Sequence, residues 1–392
     1  MVRFNSRYQS PVSSENLTSY ELGLKAQHAA AIRYLAEATS ARISPCIVGS
    51  KTVEFQAMRP PSQLINRNIE IAAESASSIL LVFQSVLPVL LFAGDAKGTP
   101  VTLTIRGGTN GRFTLSYEYL DQVLLPSLER FGVYVERKLE HRGWALGPCQ
   151  IGSVKFRFTP LPPGKRLKTP EWPTEQGAVT KIEISILAPP SIQQPLQECL
   201  VFETDLVFPS IKINFVLVQN SDHDSRIYVL LVAHTSTGLR FGCDWLYDKT
   251  TRNKTPDSLA TEIAQYVVDQ LDAQIRKGGV VDEHLQDQLI IFQALAEGNS
   301  SIPGSRRSID SHTPRVDRTD RTDQPFGEGS LHTTTARWVA SQLLPETKWT
   351  DNGRTCNGVG WATPVPTVKP VDSSILPLDQ LSAALPPPET NK

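Results

Sequence analysis

One buried helix with a polar notch constrains what this chain can fold into more than any other stretch. In KGGVVDEHLQDQLIIFQALAEG, Leu285, Leu289, Phe292 and Leu295 fall at i, i+4, i+7 and i+10, a single apolar stripe. Asp287 and Gln288 stand in the first half of that helix, where a carboxylate and an amide are poor core residues. After a polar stretch the chain resumes as GSLHTTTARWVASQLL. This piece reads as a short strand or turn ending at Leu331, then His332, then a helix over 334–344 with Ala336, Val339, Ala340 and Leu343 on one face. The pattern puts His284, Asp287 and Gln288 on one element and His332 at a strand-to-helix junction. A histidine at such a junction is open to solvent and available as a nucleophile. The same pattern equally describes a surface histidine at a helix start.

The chain ahead of this pair repeats a theme of helix followed by two strands. Residues 1–20 are polar and irregular, and ELGLKAQHAAAIRYLAEAT opens a helix after Gly23. ARISPCIVGSKTVEFQA then reads as two short strands around a Gly-Ser turn. Residues 69–73 read as a strand, 75–92 as an apolar helix interrupted at Pro88, and VTLTIRGGTN as a strand ending in a Gly-Gly turn. A helix over 117–131 and two strands complete this second unit. Residues 24–56 match only its back half.

Between 176 and 277 the character changes. KIEISILAP, KINFVLVQN and RIYVLLVAH read as strands, and TPDSLATEIAQYVVDQLDAQI as a closing helix. The expected architecture is therefore α+β, with a smaller domain of about a hundred residues set into a larger repeated one. Residues 299–328 lack apolar period and read as a disordered loop. Residues 351–392 read as loop and Pro-rich tail.

Composition removes several function classes. A net charge of -1 over 392 residues gives no global positive field for nucleic acid, so RNA contact would need a local basic patch. Five scattered cysteines without a CxxC or Cys/His cluster argue against zinc and against a disulfide framework. The longest apolar run, residues 79–93, is too short to span a bilayer and contains Gln84 and Pro88, so no membrane role is expected.

Several short segments, in order along residues 23–344, carry a resemblance. GLKAQHAAAI, SILLVFQSVLPVLLFA, IRGGTN, RGWALGPCQIGSVKFRFTPL, DQL and LHTTTA together resemble the RNA 3'-terminal phosphate cyclase family, and DEHLQDQLIIFQALA resembles its eukaryotic members. The resemblance implies a large domain of repeated βαβαββ units, with a smaller α+β domain inserted before the last unit. On this chain it implies a discontinuous catalytic domain over 1–175 and 278–350 and an insert over 176–277.

The activity it implies is ATP-dependent conversion of an RNA 3'-terminal phosphate to a 2',3'-cyclic phosphate through a histidine-AMP intermediate. Carried over by motif, His332 is the catalytic nucleophile, while Gln84, His284, Asp287 and Gln288 contact the nucleotide. Two bland readings stand beside these roles: Gln84 as the cap of a kink near Pro88, and Asp287 as a helix-start charge. The resemblance further implies ATP and a divalent metal (Mg or Mn) as cofactors, with the metal ligands unknown. RNA 3' ends are the implied partner, with no membrane and an unknown oligomeric state, and the implied location is the nucleus (nucleoplasm).

There are departures. His284 stands where the family usually has Tyr, and Leu115 where it has Pro. The opening strand and E-G-G-G-Q segment of the family are not found in residues 1–22, nor is its R-x-x-R segment. The chain is therefore expected to be N-terminally incomplete, with a first unit short of a central strand. The alternative function is a catalytically inactive cyclase-like binding factor in RNA processing or ribosome assembly. A third, an enolpyruvyl transferase sharing the repeated unit, would lack the LHTTTA segment.

Overall fold

The structure, a computed structural model, describes residues 2–5 (backbone only), 23–73, 76–112, 114–304, 327 and 329–365. The first unit runs β1 (Val2–Asn5), α1 (Ala26–Ala38), β2 (Arg42–Ile43), β3 (Thr52–Gln56), in the antiparallel order β1-β3-β2. The second runs β4 (Asn68–Ala72), α2 (Ile79–Leu90) and β5 (Val101–Gly107). A helix then follows as α3 (Tyr117–Tyr119), a π-turn (Leu120–Leu124) and α4 (Leu125–Glu129), with β6 (Glu136–His141) and β7 (Gly152–Phe158) after it. Its sheet order is β4-β5-β7-β6, with β4 parallel to β5 and the other pairs antiparallel.

Next come β8 (Val179–Ala188), α5 (Pro190–Val207), β9 (Lys212–Asn220), β10 (Tyr228–Thr235), β11 (Arg240–Leu246) and α6 (Pro256–Arg276). Their sheet order is β11-β10-β8-β9, and β8–β9 is the parallel pair, joined by α5 as a crossover. The last unit is α7 (Glu283–Leu295), β12 (Glu297–Ser301), α8 (Leu331–Leu343), β13 (Lys348–Thr350) and β14 (Thr355–Val359), in the order β12-β14-β13.

The repeat is thus one topological move. Strand, helix, strand, strand, with the last strand returning to the middle, recurs as β1-β3-β2, β5-β7-β6 and β12-β14-β13. In the second copy β4 and α2 precede this move. In the third, α7 takes the place of α2, and a parallel bridge from Lys168 to Glu297 stands where β4 pairs with β5. The β8–α6 segment therefore enters between that bridge and α7.

Glycines of two motifs lock the start of α2. Gly107 and Gly108 lie against the backbone of Ser77 and Ala76 so closely that a methyl on either would overlap a carbonyl oxygen. The Gly108 N–H donates to the Ser77 carbonyl (2.7 Å), and the Thr109 N–H to that of Gly143 (2.9 Å). IRGGTN and RGW are thus sites of close backbone approach, which only glycine permits. One apolar core runs from α2, β5 and β7 through the 117–129 helix into β8 and β10.

Several expectations are corrected. Residues 1–20 are not wholly irregular, since Val2–Asn5 pairs with β3 as an edge strand, β3 being the centre of this three-stranded sheet. Residues 6–22 lie outside the described residues. The expected disordered loop at 299–328 begins too early, because residues 299–301 belong to β12; residues 305–326 and 328 are outside the described residues.

The tail expected from 351 starts too early as well, since β14 is the central strand of its sheet and Trp361 packs edge-on to Phe92 at 4.4 Å. Residues 366–392 are outside the described residues. Pro88 lies inside α2 without ending it. Helix α5 was not foreseen: its Pro190 and Pro195 and its glutamines hide a stripe of Ile192, Leu196, Leu200 and Thr204, all buried at four-residue spacing.

A candidate nucleotide site at the start of two helices

Helix α7 starts where it does because Asp282 caps it. The Asp282 carboxylate accepts the His284 (3.0 Å) and Leu285 (2.8 Å) N–H groups, as an N-cap side chain should. It also accepts the Tyr119 hydroxyl (2.6 Å) and the Gly242 N–H of β11 (3.0 Å). One fully buried carboxylate thus joins three chain segments, and its burial raises its pKa against the pull of the Tyr119, Gly242 and Leu285 donors and of the His284 imidazole.

From this anchored end, α7 presents His284, Asp287 and Gln288. The Gln288 Nε2 donates to Asp287 Oδ1 at 2.5 Å. Burial pushes the Asp287 carboxyl up to about 6, opposed by the Gln288 bond and then by the imidazoles of His332 and His284. His284 is exposed and stands edge-on to the Tyr119 ring at 6.5 Å.

His332 does not sit at a strand-to-helix junction as expected. Ser330 caps α8, its Oγ accepting the Thr333 N–H at 3.1 Å, so Leu331 opens the helix and His332 lies exposed in its first turn. The S-L-H-T string carries its own N-cap, a local signal that outweighs a strand reading. The first turn of a helix presents unpaired N–H groups and the positive end of the dipole, a suitable setting for phosphate.

The structure therefore brings His332, His284, Asp287 and Gln288 together. Gln84 is placed on α2, which packs against α7. Its Nε2 is buried with no hydrogen-bond partner among the described residues, and among them no bond joins it to α7. The reading of Gln84 as a cap is not favoured, because an unpaired buried donor is an unmet demand for an acceptor.

Other residues at this junction were missed. Glu118 is buried and accepts from Asn110 Nδ2 (2.9 Å) and from Arg142 (2.5 Å), so IRGGTN and RGW converge on one carboxylate. Arg142 also reaches Gln219 of β9 at 2.9 Å. Tyr228 joins Ser116 (2.5 Å) to Asp244 (3.0 Å), whose pKa is raised by burial and lowered by His284. Only the Asp282 position left a sequence signal, an Asp directly before a helix. The others are gathered by the fold across separations from 8 residues (Asn110 to Glu118) to 112 (Ser116 to Tyr228).

The Asp287 shift carries a stability prediction. Its folded pKa of about 6 exceeds the ordinary 3.8, so the favourable contribution is complete below about pH 4 and lost as pH rises through 6. Asp287→Asn is expected to remove that loss and stabilise the fold at pH 7 by about 1–3 kcal/mol. Denaturant midpoints at pH 4 and pH 7 for both chains measure it; the native chain alone should show the extra decline.

Comparison with known proteins places this arrangement. The sequence profile described as RNA 3'-terminal phosphate cyclase matches residues 10–347. The RNA 3'-terminal phosphate cyclase of Drosophila melanogaster is 30% identical over 291 residues, covering 71% of this chain and 74% of that protein. The probable RNA 3'-terminal phosphate cyclase of Dictyostelium discoideum is 29% identical over 300 residues, covering 74% of this chain and 65% of its own length. The Pyrobaculum aerophilum RNA 3'-terminal phosphate cyclase is 28% identical over 291 residues, covering 73% and 77%.

Proposed function

This chain belongs to the RNA 3'-terminal phosphate cyclase family, and we propose that it converts an RNA 3'-terminal phosphate to a 2',3'-cyclic phosphate at the expense of ATP. The observation that carries the proposal is the pairing of an exposed histidine in the first turn of α8 with a half-buried carboxyl on α7, close enough for His332 to act on Asp287.

A ring nitrogen of His332 attacks the α-phosphorus of ATP, the bond to the bridging oxygen breaks, and pyrophosphate leaves with that electron pair. An oxygen of the RNA 3'-phosphate then attacks the same phosphorus, and the P–N bond breaks, freeing His332. The adjacent 2'-hydroxyl attacks the activated 3'-phosphorus, gives up its proton, and AMP departs. Covalent catalysis divides one difficult substitution into three easier ones.

Gln84 Nε2, buried and unpartnered, is a donor that fits a nucleotide acceptor. His284 offers a face for the base, and Asp287 with Gln288 a polar edge. Among the described residues no three His, Cys, Asp or Glu side chains form a metal cage. Among the same residues no helix is long and apolar enough to cross a membrane.

The test is incubation with ATP labelled at its α-phosphate, magnesium or manganese, and an RNA ending in a 3'-phosphate. The expected results are an acid-labile labelled protein band and an RNA end that resists phosphatase. A folded chain that never takes the label overturns the proposal and leaves the binding-factor role.

A further inference from the structure

Helices α7 and α8 meet along a mixed seam: its first layer is polar and uncharged, and one turn on, buried Arg337 of α8 stands over Trp349. On α7 it is made by Gln286, Ile290 and Ala294, at four-residue spacing, and on α8 by Thr333, Arg337 and Ala340, with Ala336 partly buried beside them. Ile290, Ala294, Ala340, Trp349 and Cys356 form a buried apolar cluster. The first layer instead holds two buried polar residues, Gln286 (6% exposed) and Thr333 (0%), the latter adjacent to His332.

Gln286 fills that layer tightly. A methyl on Gly304, just past β12, would overlap its amide. A methyl on Gly329, just before the Ser330 cap, would lie 3.0 Å from Gln286 Oε1 and 2.8 Å from Thr333 Cγ2. The two glycines therefore close on the Gln286 amide from either side of the long excursion between β12 and α8. An amide packed this closely between two glycines at the meeting of two helices fixes which layer of one helix faces which layer of the other.

We propose that Gln286 is a positioning residue for the nucleophile: it sets the register of α8 on α7, and with it the placement of His332 relative to Asp287. Sliding α8 by one residue would carry His332 1.5 Å along the axis and 100° around it, enough to remove an attacking atom from its line. Gln286 itself is buried in the seam and needs no contact with ATP. The inference rests on the function proposed above for its activity readout, but not for its structural one.

The experiment compares Gln286→Ala, Gly304→Ala and the double variant with the native chain. Four quantities are read: the rate of AMP-adduct formation, ATP affinity by equilibrium dialysis, carbethoxylation of His332 against exposed His284 by peptide mass spectrometry, and the denaturant midpoint. Gln286→Ala is expected to slow adduct formation at least tenfold, keep ATP affinity within twofold, and change the His332 labelling rate at least threefold. Gly304→Ala alone is expected to lower the denaturant midpoint, and the double variant to recover most of that loss, since the methyl then has room.

Equal losses in rate and ATP affinity, or a native-like rate and labelling ratio in Gln286→Ala, would overturn the inference. A native chain that forms no adduct defeats the parent reading only. The labelling ratio and the double-variant recovery then decide the inference by themselves.

Discussion

Replacing His332 with alanine is expected to abolish the AMP adduct while leaving the chain folded. His332 is exposed in the first turn of α8, and that helix is held by the Ser330 cap and by buried Thr333, Arg337 and Ala340. Removing an exposed side chain there should change stability by only about 0.5 kcal/mol. Loss of a covalent nucleophile, by contrast, lowers turnover by roughly 10⁴-fold or more. The measurement is labelled adduct per mole of folded protein, with His284→Ala as the control. His284→Ala is expected to weaken nucleotide binding yet retain the adduct, because its imidazole contributes a face and not the attacking nitrogen. An undiminished band in His332→Ala would assign the nucleophile elsewhere.

Asp282→Ala is expected to produce the largest loss of stability of any single change at the site. Its carboxylate collects the Tyr119 hydroxyl and the N–H groups of Gly242, His284 and Leu285. Truncation leaves four donors without an acceptor in a buried space. At about 1 kcal/mol for each, reduced by relief of burying the acid, the loss is about 3 kcal/mol. Asp282→Asn should lose less, since its amide oxygen can keep Tyr119 and the two α7 donors and only the Gly242 N–H then faces an NH₂.

The neighbouring geometry leaves little room for repair. A methyl on Gly242 would lie 2.5 Å from the Tyr119 ring, so β11 and the 117–129 helix are already at closest approach. Urea midpoints for the three chains check the ranking, and Asp282→Ala matching Asp282→Asn would refute the four-donor account.

Much of this protein follows from local sequence. The apolar stripe of α7 and the apolar or alternating runs of β8–β10 are rules of neighbours along one chain, and they identify the elements and the α+β class. Candidate site residues could be named where a motif kept them together, as in DQL and LHTTTA. Apart from the start of α8, where the Ser330 cap is a local signal, expectations failed where the deciding partner was remote or the period was masked. Val2–Asn5 is a strand because Thr52–Gln56 offers it an edge. Thr355–Val359 is a central strand because β12 and β13 flank it. Helix α5 was hidden by its prolines.

The site divides the same way. The sequence by itself determined that His332 follows a capping serine and that Asp287 and Gln288 ride a buried helix. Only the tertiary structure decided that these two helices start side by side, that Asp282 ties one of them to Tyr119 and Gly242, and that the Gln286 amide sits between Gly304 and Gly329. Hydrogen bonds and steric fit act over 3–4 Å in space regardless of separation along the chain, so no local pattern records them.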